Sequence, residues 1–154
     1  MYNQNEPRPL GVELRETSNA VKNFIDNYLE TKLSDKLTGI EGMTLGYIFH
    51  HSDKEITAKD IMGRSKVSKA TMSQTLKGLA KKDLIKAEPK KGDKRVKVIV
   101  LTDKGRKINE EFRLLFAQIS KQIVQGLSEE EMAQMRKTME KIRLNIRSDE
   151  NEEQ

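Results

Sequence analysis

The order of apolar and polar positions divides the chain into short helices around one hairpin. Leu10, Leu14, Val21, Phe24, Ile25, Tyr28 and Leu29 fall at helical spacing and predict a first helix over residues 10–33. Thr38, Gly39 and Gly42 punctuate the connection to a second helix over 44–51, which stops before the turn-like Ser52, Asp53 and Lys54. Glu55 and Ile56 read as a short extended piece. Thr57, with Asp60 three residues on, has the spacing of a capping box and opens a short helix over 58–63. A tight connection over 64–67 leads to Ser68, an N-cap for a longer helix running to about Lys82. That helix has an apolar side (Val67, Met72, Leu76, Leu79) and a polar side (Lys69, Thr71, Ser73, Gln74, Lys77, Lys81). The period then switches to two over 84–88 and again over 96–101, the signature of paired strands, with a turn-forming loop over 89–95. Thr102 caps a helix to about Gly126, striped by Ile108, Phe112, Leu115, Phe116, Ile119 and Ile123. Ser128 and Glu131 form a second capping-box pattern and open the last helix, while residues 148–154 read as a frayed polar tail.

Two short helices joined tightly and followed by a hairpin predict a mainly α fold with a small β-hairpin wing, a winged helix-turn-helix. In the last helix Met132, Met135, Met139, Ile142 and Ile146 repeat in steps of three and four, which makes a narrow seam of the kind used in helix pairing. Leu14 and Val21 of the first helix offer a partner stripe. We therefore expect an obligate-type helical homodimer, with packing of both stripes inside one chain as the alternative. The expected organisation is an N-terminal dimerisation helix (1–36), a winged helix-turn-helix domain (37–103), C-terminal dimerisation helices (104–147) and a disordered tail (148–154), intertwined as one domain.

Charge sharpens this picture. Residues 54–107 carry 17 Lys and Arg against 6 Asp and Glu, while the rest of the chain carries 12 against 18. A basic middle between acidic ends suits a polyanion-binding surface held on a separate scaffold, and double-stranded DNA is the expected partner. The start of the helix after Ser68 presents short or polar side chains: Ser68, Lys69, Ala70, Thr71, Ser73, Gln74 and, one turn on, Lys77. Gln74 has the geometry to pair with adenine, and Thr71 and Ala70 suit a thymine methyl. The helix N-terminus favours a phosphate. In the hairpin loop Lys90, Lys91, Lys94 and Arg95 are placed for phosphates or the minor groove.

Other chemistry is sparse. With no cysteine in 154 residues, disulfides and thiolate metal sites are excluded. The only histidines, His50 and His51, point about 100° apart on a helix, so no metal is expected. No nucleophile–base arrangement or glycine-rich phosphate loop stands out, and we expect neither an enzyme nor a cofactor. No apolar run approaches the ~20 residues of a membrane span, and no signal peptide is visible, which predicts a cytoplasmic protein without membrane contact. Phe24, Tyr28, Tyr47 and Phe49 are candidates to line a small-molecule site.

Residues 56–106 resemble the DNA-binding domain of MarR-family regulators. The resemblance rests on Val67-Ser68-Lys69-Ala70-Thr71, on Leu79 through Leu84-Ile85, on Gly92-Asp93-Lys94-Arg95, and on Leu101-Thr102-Asp103-Lys104-Gly105-Arg106. The element order agrees over the whole chain. The resemblance implies a bacterial, homodimeric, sequence-specific transcriptional regulator. It implies a repressor on a palindromic operator, with the terminal helices at the dimer interface and a small-molecule effector modulating binding. It also implies that Arg95 contacts DNA while Asp93 supports the wing. Asp83 stands where the family often has glycine, and the second helix lacks the family's frequent glutamine, having Gly46 nearby. The alternative is a winged-helix scaffold that binds a protein partner without specific DNA recognition.

Overall fold

A computed structural model describes the backbone of residues 7–150. In chain order it contains α1 (Leu10–Lys32), α2 (Gly39–His50), α3 (Ala58–Arg64), α4 (Lys69–Lys81), β1 (Ile85–Lys90), β2 (Asp93–Leu101), α5 (Asp103–Ile123) and α6 (Glu129–Glu150). The two strands form one antiparallel hairpin. The fold is therefore mainly helical with a small β-hairpin, as the residue pattern predicts. No helix among the described residues is long and apolar enough to cross a membrane.

The chain divides into two compact units, Met1–Ile119 and Ser120–Gln154. The first has one continuous core. Leu29 of α1, Leu45 and Ile48 of α2, Leu79 of α4, Leu84 and Ile119 of α5 are all but sealed from solvent. Each such side chain contributes roughly 1.5–3 kcal/mol by leaving water. Met72 and Leu76 complete the inner side of α4, but Val67, expected there, stays 39% exposed because it precedes the helix on the α3–α4 turn.

The second helix begins five residues earlier than expected. Thr38 is its N-cap: its hydroxyl accepts from the Glu41 N–H, and the Glu41 carboxylate accepts from the Thr38 N–H. Gly39 and Gly42, which read as punctuation, are helical. Gly42 is there for space, since a Cβ would overlap the Phe112 ring of α5. Local propensity is overridden by that close approach.

The hairpin is also longer than expected. The strands continue through the basic segment to a tight turn at Lys91 and Gly92, where Gly92 has φ +84°. The register shifts between Pro89 and Lys90, consistent with proline's missing N–H. Ile56 adds one rung beside the hairpin, its carbonyl accepting from the Ile99 N–H at 2.8 Å.

In the second unit, α6 starts at the capping box of Ser128 and Glu131. It runs to Glu150, three residues into the expected tail, and no Gly or Pro intervenes to end it. The remainder of that tail, 151–154, lies outside the described residues. Met132 and Ile142 are half-buried, while Met135 (49%), Met139 (36%) and Ile146 (59%) are open on the same seam.

Candidate nucleic-acid interface

The α3–turn–α4 pair is fixed at both helix starts by capping. The Thr57 hydroxyl accepts from the Asp60 N–H, and the Asp60 carboxylate accepts from the Thr57 N–H and hydroxyl. These bonds, backbone first, hold the Asp60 carboxyl below its usual value. Ser68 caps α4, accepting from the Thr71 N–H at 3.1 Å, and its hydroxyl meets the Thr71 hydroxyl at 2.8 Å. Because the N-caps are local in sequence, this part of the site needs little from the tertiary fold.

The opening turns of α4 are presented to solvent. Ser68, Lys69, Ala70, Thr71, Gln74 and Lys77 are exposed, and Ser73 is half-buried. Behind them, Met72, Thr75, Leu76 and Leu79 are buried and seat the helix on the core. The Thr75 hydroxyl is satisfied internally by the Thr71 carbonyl at 2.9 Å.

Asp83 follows α4 in the left-handed region, at φ 58°. Its short polar side chain tolerates a conformation that would penalise a larger residue. This turn reverses the chain into β1, so the exposed helix and the hairpin are consecutive. The Asp83 carbonyl accepts from the Thr102 hydroxyl at 2.7 Å, and that hydroxyl in turn accepts from the Gly105 N–H, capping α5. Gly105 has no room for a Cβ, which would overlap the Leu84 carbonyl.

On the wing, Lys91, Lys94 and Arg95 are exposed and Lys90 is half-buried. Arg95 donates through Nε and Nη2 to the two carboxylate oxygens of Asp93, at 3.1 and 3.3 Å, and its own backbone N–H donates to the same carboxylate. These bonds, the guanidinium's first, hold the Asp93 carboxyl below its ordinary range. The Arg95 side chain is 91% exposed, so the pair adds little stability. Its effect is to restrict where the guanidinium points. Glu55, not among the residues expected at the site, accepts from the Lys91 N–H at 2.9 Å and anchors the wing tip to the segment before α3. No local spacing announces that contact, since 36 residues separate the partners.

Of the four candidate ligand residues, Tyr47 lines a cavity of about 250 Å³ between α2, α3 and α4, with Met43, Ile61, Arg64, Val67 and Met72. Phe24 and Tyr28 pair with each other, centroids 6.0 Å apart, and pack on the core, where the Tyr28 hydroxyl meets Gln118. Phe49 is exposed and meets His50 edge-on. The structure thus does not gather the four into one site. His51 stacks on Tyr47 at 4.1 Å and donates from Nδ1 to the Tyr47 carbonyl, which fixes its tautomer. Among the described residues no group of three or more His, Cys, Asp or Glu is placed to hold a metal ion.

The sequence profile of the MarR family matches residues 35–96, from before α2 through the wing. The chain is 33% identical over 95 residues to the HTH-type transcriptional regulator TcaR of Staphylococcus aureus, a match covering 60% of this chain and 63% of that relative's length. The structure resembles the S. aureus MepR–DNA complex at TM-score 0.77 and 30% identity, covering 90% of this chain and 96% of the other. It also resembles the heme-bound sensor PefR of Streptococcus agalactiae at TM-score 0.69 and 26% identity, over 91% and 95% of the two chains. A profile spanning both helices and wing, with a solved relative matched at that identity over nearly its full length, establishes that the chain belongs to the MarR family.

Proposed function

We propose that this protein is a transcriptional regulator that binds a specific, palindromic double-stranded DNA site as a homodimer. It carries out no catalysis. The observation that carries the reading is the presentation of α4: a capped helix seated on the core by its apolar side, with Lys69, Ala70, Thr71, Gln74 and Lys77 facing solvent ahead of a basic wing. The opening residues of such a helix enter the major groove, where Gln74 pairs with adenine. Because the Thr71 hydroxyl is engaged by Ser68, its methyl is the group left for a thymine. Ser68 and Lys69 meet phosphate at the helix start. Lys90, Lys91, Lys94 and Arg95 bind the backbone or minor groove, with Asp93 aiming Arg95. MepR, the relative matched over most of its length, was solved on DNA, which supports the assignment.

Homodimerisation is supported by the open seam of α6, where Met135, Met139 and Ile146 remain uncovered alongside Met132 and Ile142, and by Leu14 and Val21 on α1. A small-molecule effector is supported by the largely apolar cavity beside the α3–α4 turn, whose walls include both helices of the DNA-reading pair. Repression is the direction of control, and the bacterial cytoplasm the location. A protein-binding scaffold is disfavoured by the lysines of α4 and the wing, because protein interfaces deplete lysine.

Selection of bound fragments from a random DNA pool, at two salt concentrations, tests the reading. Wild type should recover an inverted repeat, less well at higher salt, and Arg95→Ala should recover it poorly. Recovery of no preferred sequence would overturn it and leave the scaffold.

A further inference from the structure

We infer that Glu41 is a positioning residue for DNA recognition: from the first turn of α2 it sets the pose of α4 by gripping the far end of that helix. The inference rests on the assignment of α4 as the DNA-reading helix. Glu41 is 8% exposed, unusually buried for a carboxylate. Its Oε2 accepts from the Thr38 N–H at 3.0 Å and from the Lys82 ammonium at 2.7 Å. Thr38 alone accounts for a capping box, but such a box does not require burial against another helix. Lys82 is the C-cap of α4 and is not among the solvent-facing DNA candidates.

Gly78 of α4 lies directly under the carboxylate. A Cβ there would stand 2.8 Å from the Glu41 Oε1, so a methyl at this position would displace the carboxylate from where it sits. The same helix end is held from a second direction. The Lys82 carbonyl accepts from the Lys104 ammonium at 3.0 Å, and Lys104 pairs with Asp35 at 2.8 Å. The end of α4 remote from its reading turns is therefore fastened to α2 and α5 by charged groups rather than by apolar packing alone. Charge-assisted hydrogen bonds of this kind are directional, so they add a constraint on orientation to the apolar packing.

The test compares the selected operator with scrambled DNA for wild type, Glu41→Gln, Gly78→Ala, Lys82→Gln and Lys82→Arg, with thermal midpoints measured alongside. Glu41→Gln keeps an acceptor for Thr38 and removes the charge. Gly78→Ala pushes the carboxylate aside while improving helix propensity, so its fold should persist. The expected result is a preference for operator reduced about three- to thirtyfold in Glu41→Gln, Gly78→Ala and Lys82→Gln. Binding to scrambled DNA should be unchanged, and Lys82→Arg should behave as wild type. Wild-type preference in Gly78→Ala and Glu41→Gln would overturn the inference, as would equal losses on both DNAs that track the thermal midpoint. If wild type itself shows no preference, the DNA-reading assignment fails, and this inference with it.

Discussion

The roles proposed for Arg95 and Gln74 in DNA recognition are two different kinds of contact. In the proposed complex the Arg95 guanidinium, held by Asp93, meets charge that every DNA sequence carries, so Arg95→Ala should weaken binding to all sequences alike. It should lower the slope of log affinity against log salt by about one. Titrations of operator and scrambled DNA at several salt concentrations measure both effects. Gln74→Ala should instead leave the salt slope alone and relax the preference at one base pair, at a cost of about 1–3 kcal/mol. Gly42 belongs to stability rather than recognition. Gly42→Ala forces a methyl into the Phe112 ring, and should destabilise the fold by about 1–3 kcal/mol, read as a lower thermal midpoint. Residues whose role is local were legible in the sequence. Ser68, Thr57 and Ser128 cap helices three residues away, and their spacing announces it. Glu41 shows the limit: its partner at three residues, Thr38, is visible in the spacing, but its partner Lys82 lies 41 positions on.

At the level of elements, the helix order and the hairpin follow from periodicity, and the departures have two causes, close packing and masking by charge. Gly39 and Gly42 suggested a break because glycine is a poor helix former, and the start of α2 was placed five residues late. The close packing of Phe112 from α5 on Gly42, and of Ile25 from α1 on Gly39, is invisible locally. The strands were read too short because the charged wing obscures the alternation beyond Glu88. The joint between the α1–α2 connection and α5 offers a pH test. The Lys104 ammonium donates to Asp35 and keeps that carboxyl below its ordinary 3.8, against the opposing effect of burial. A carboxyl depressed in the folded state stabilises above the unfolded value, and that contribution is lost as the pH falls through the folded value. Asp35→Asn should therefore unfold more easily than wild type near neutral pH, by about 1 kcal/mol or less for so exposed a pair. The difference should close below pH 3.8. Thermal midpoints of both proteins across that range check the sign.

For the whole molecule, the uneven charge and the exposed seam of α6 support the proposal that two copies read one site. The seam is legible as a three-four repeat, and its openness in a single chain is what the proposed second copy would cover. Met139→Lys should place a charge in that seam and yield a protein that sediments as a monomer at concentrations where wild type is a dimer. Footprinting wild type on its selected operator separates a symmetric dimer from any other mode of binding. Two protected half-sites about one helical turn (~34 Å) apart, related by two-fold symmetry, are expected. A single protected half-site, or even protection along the whole fragment, would contradict the symmetric dimer.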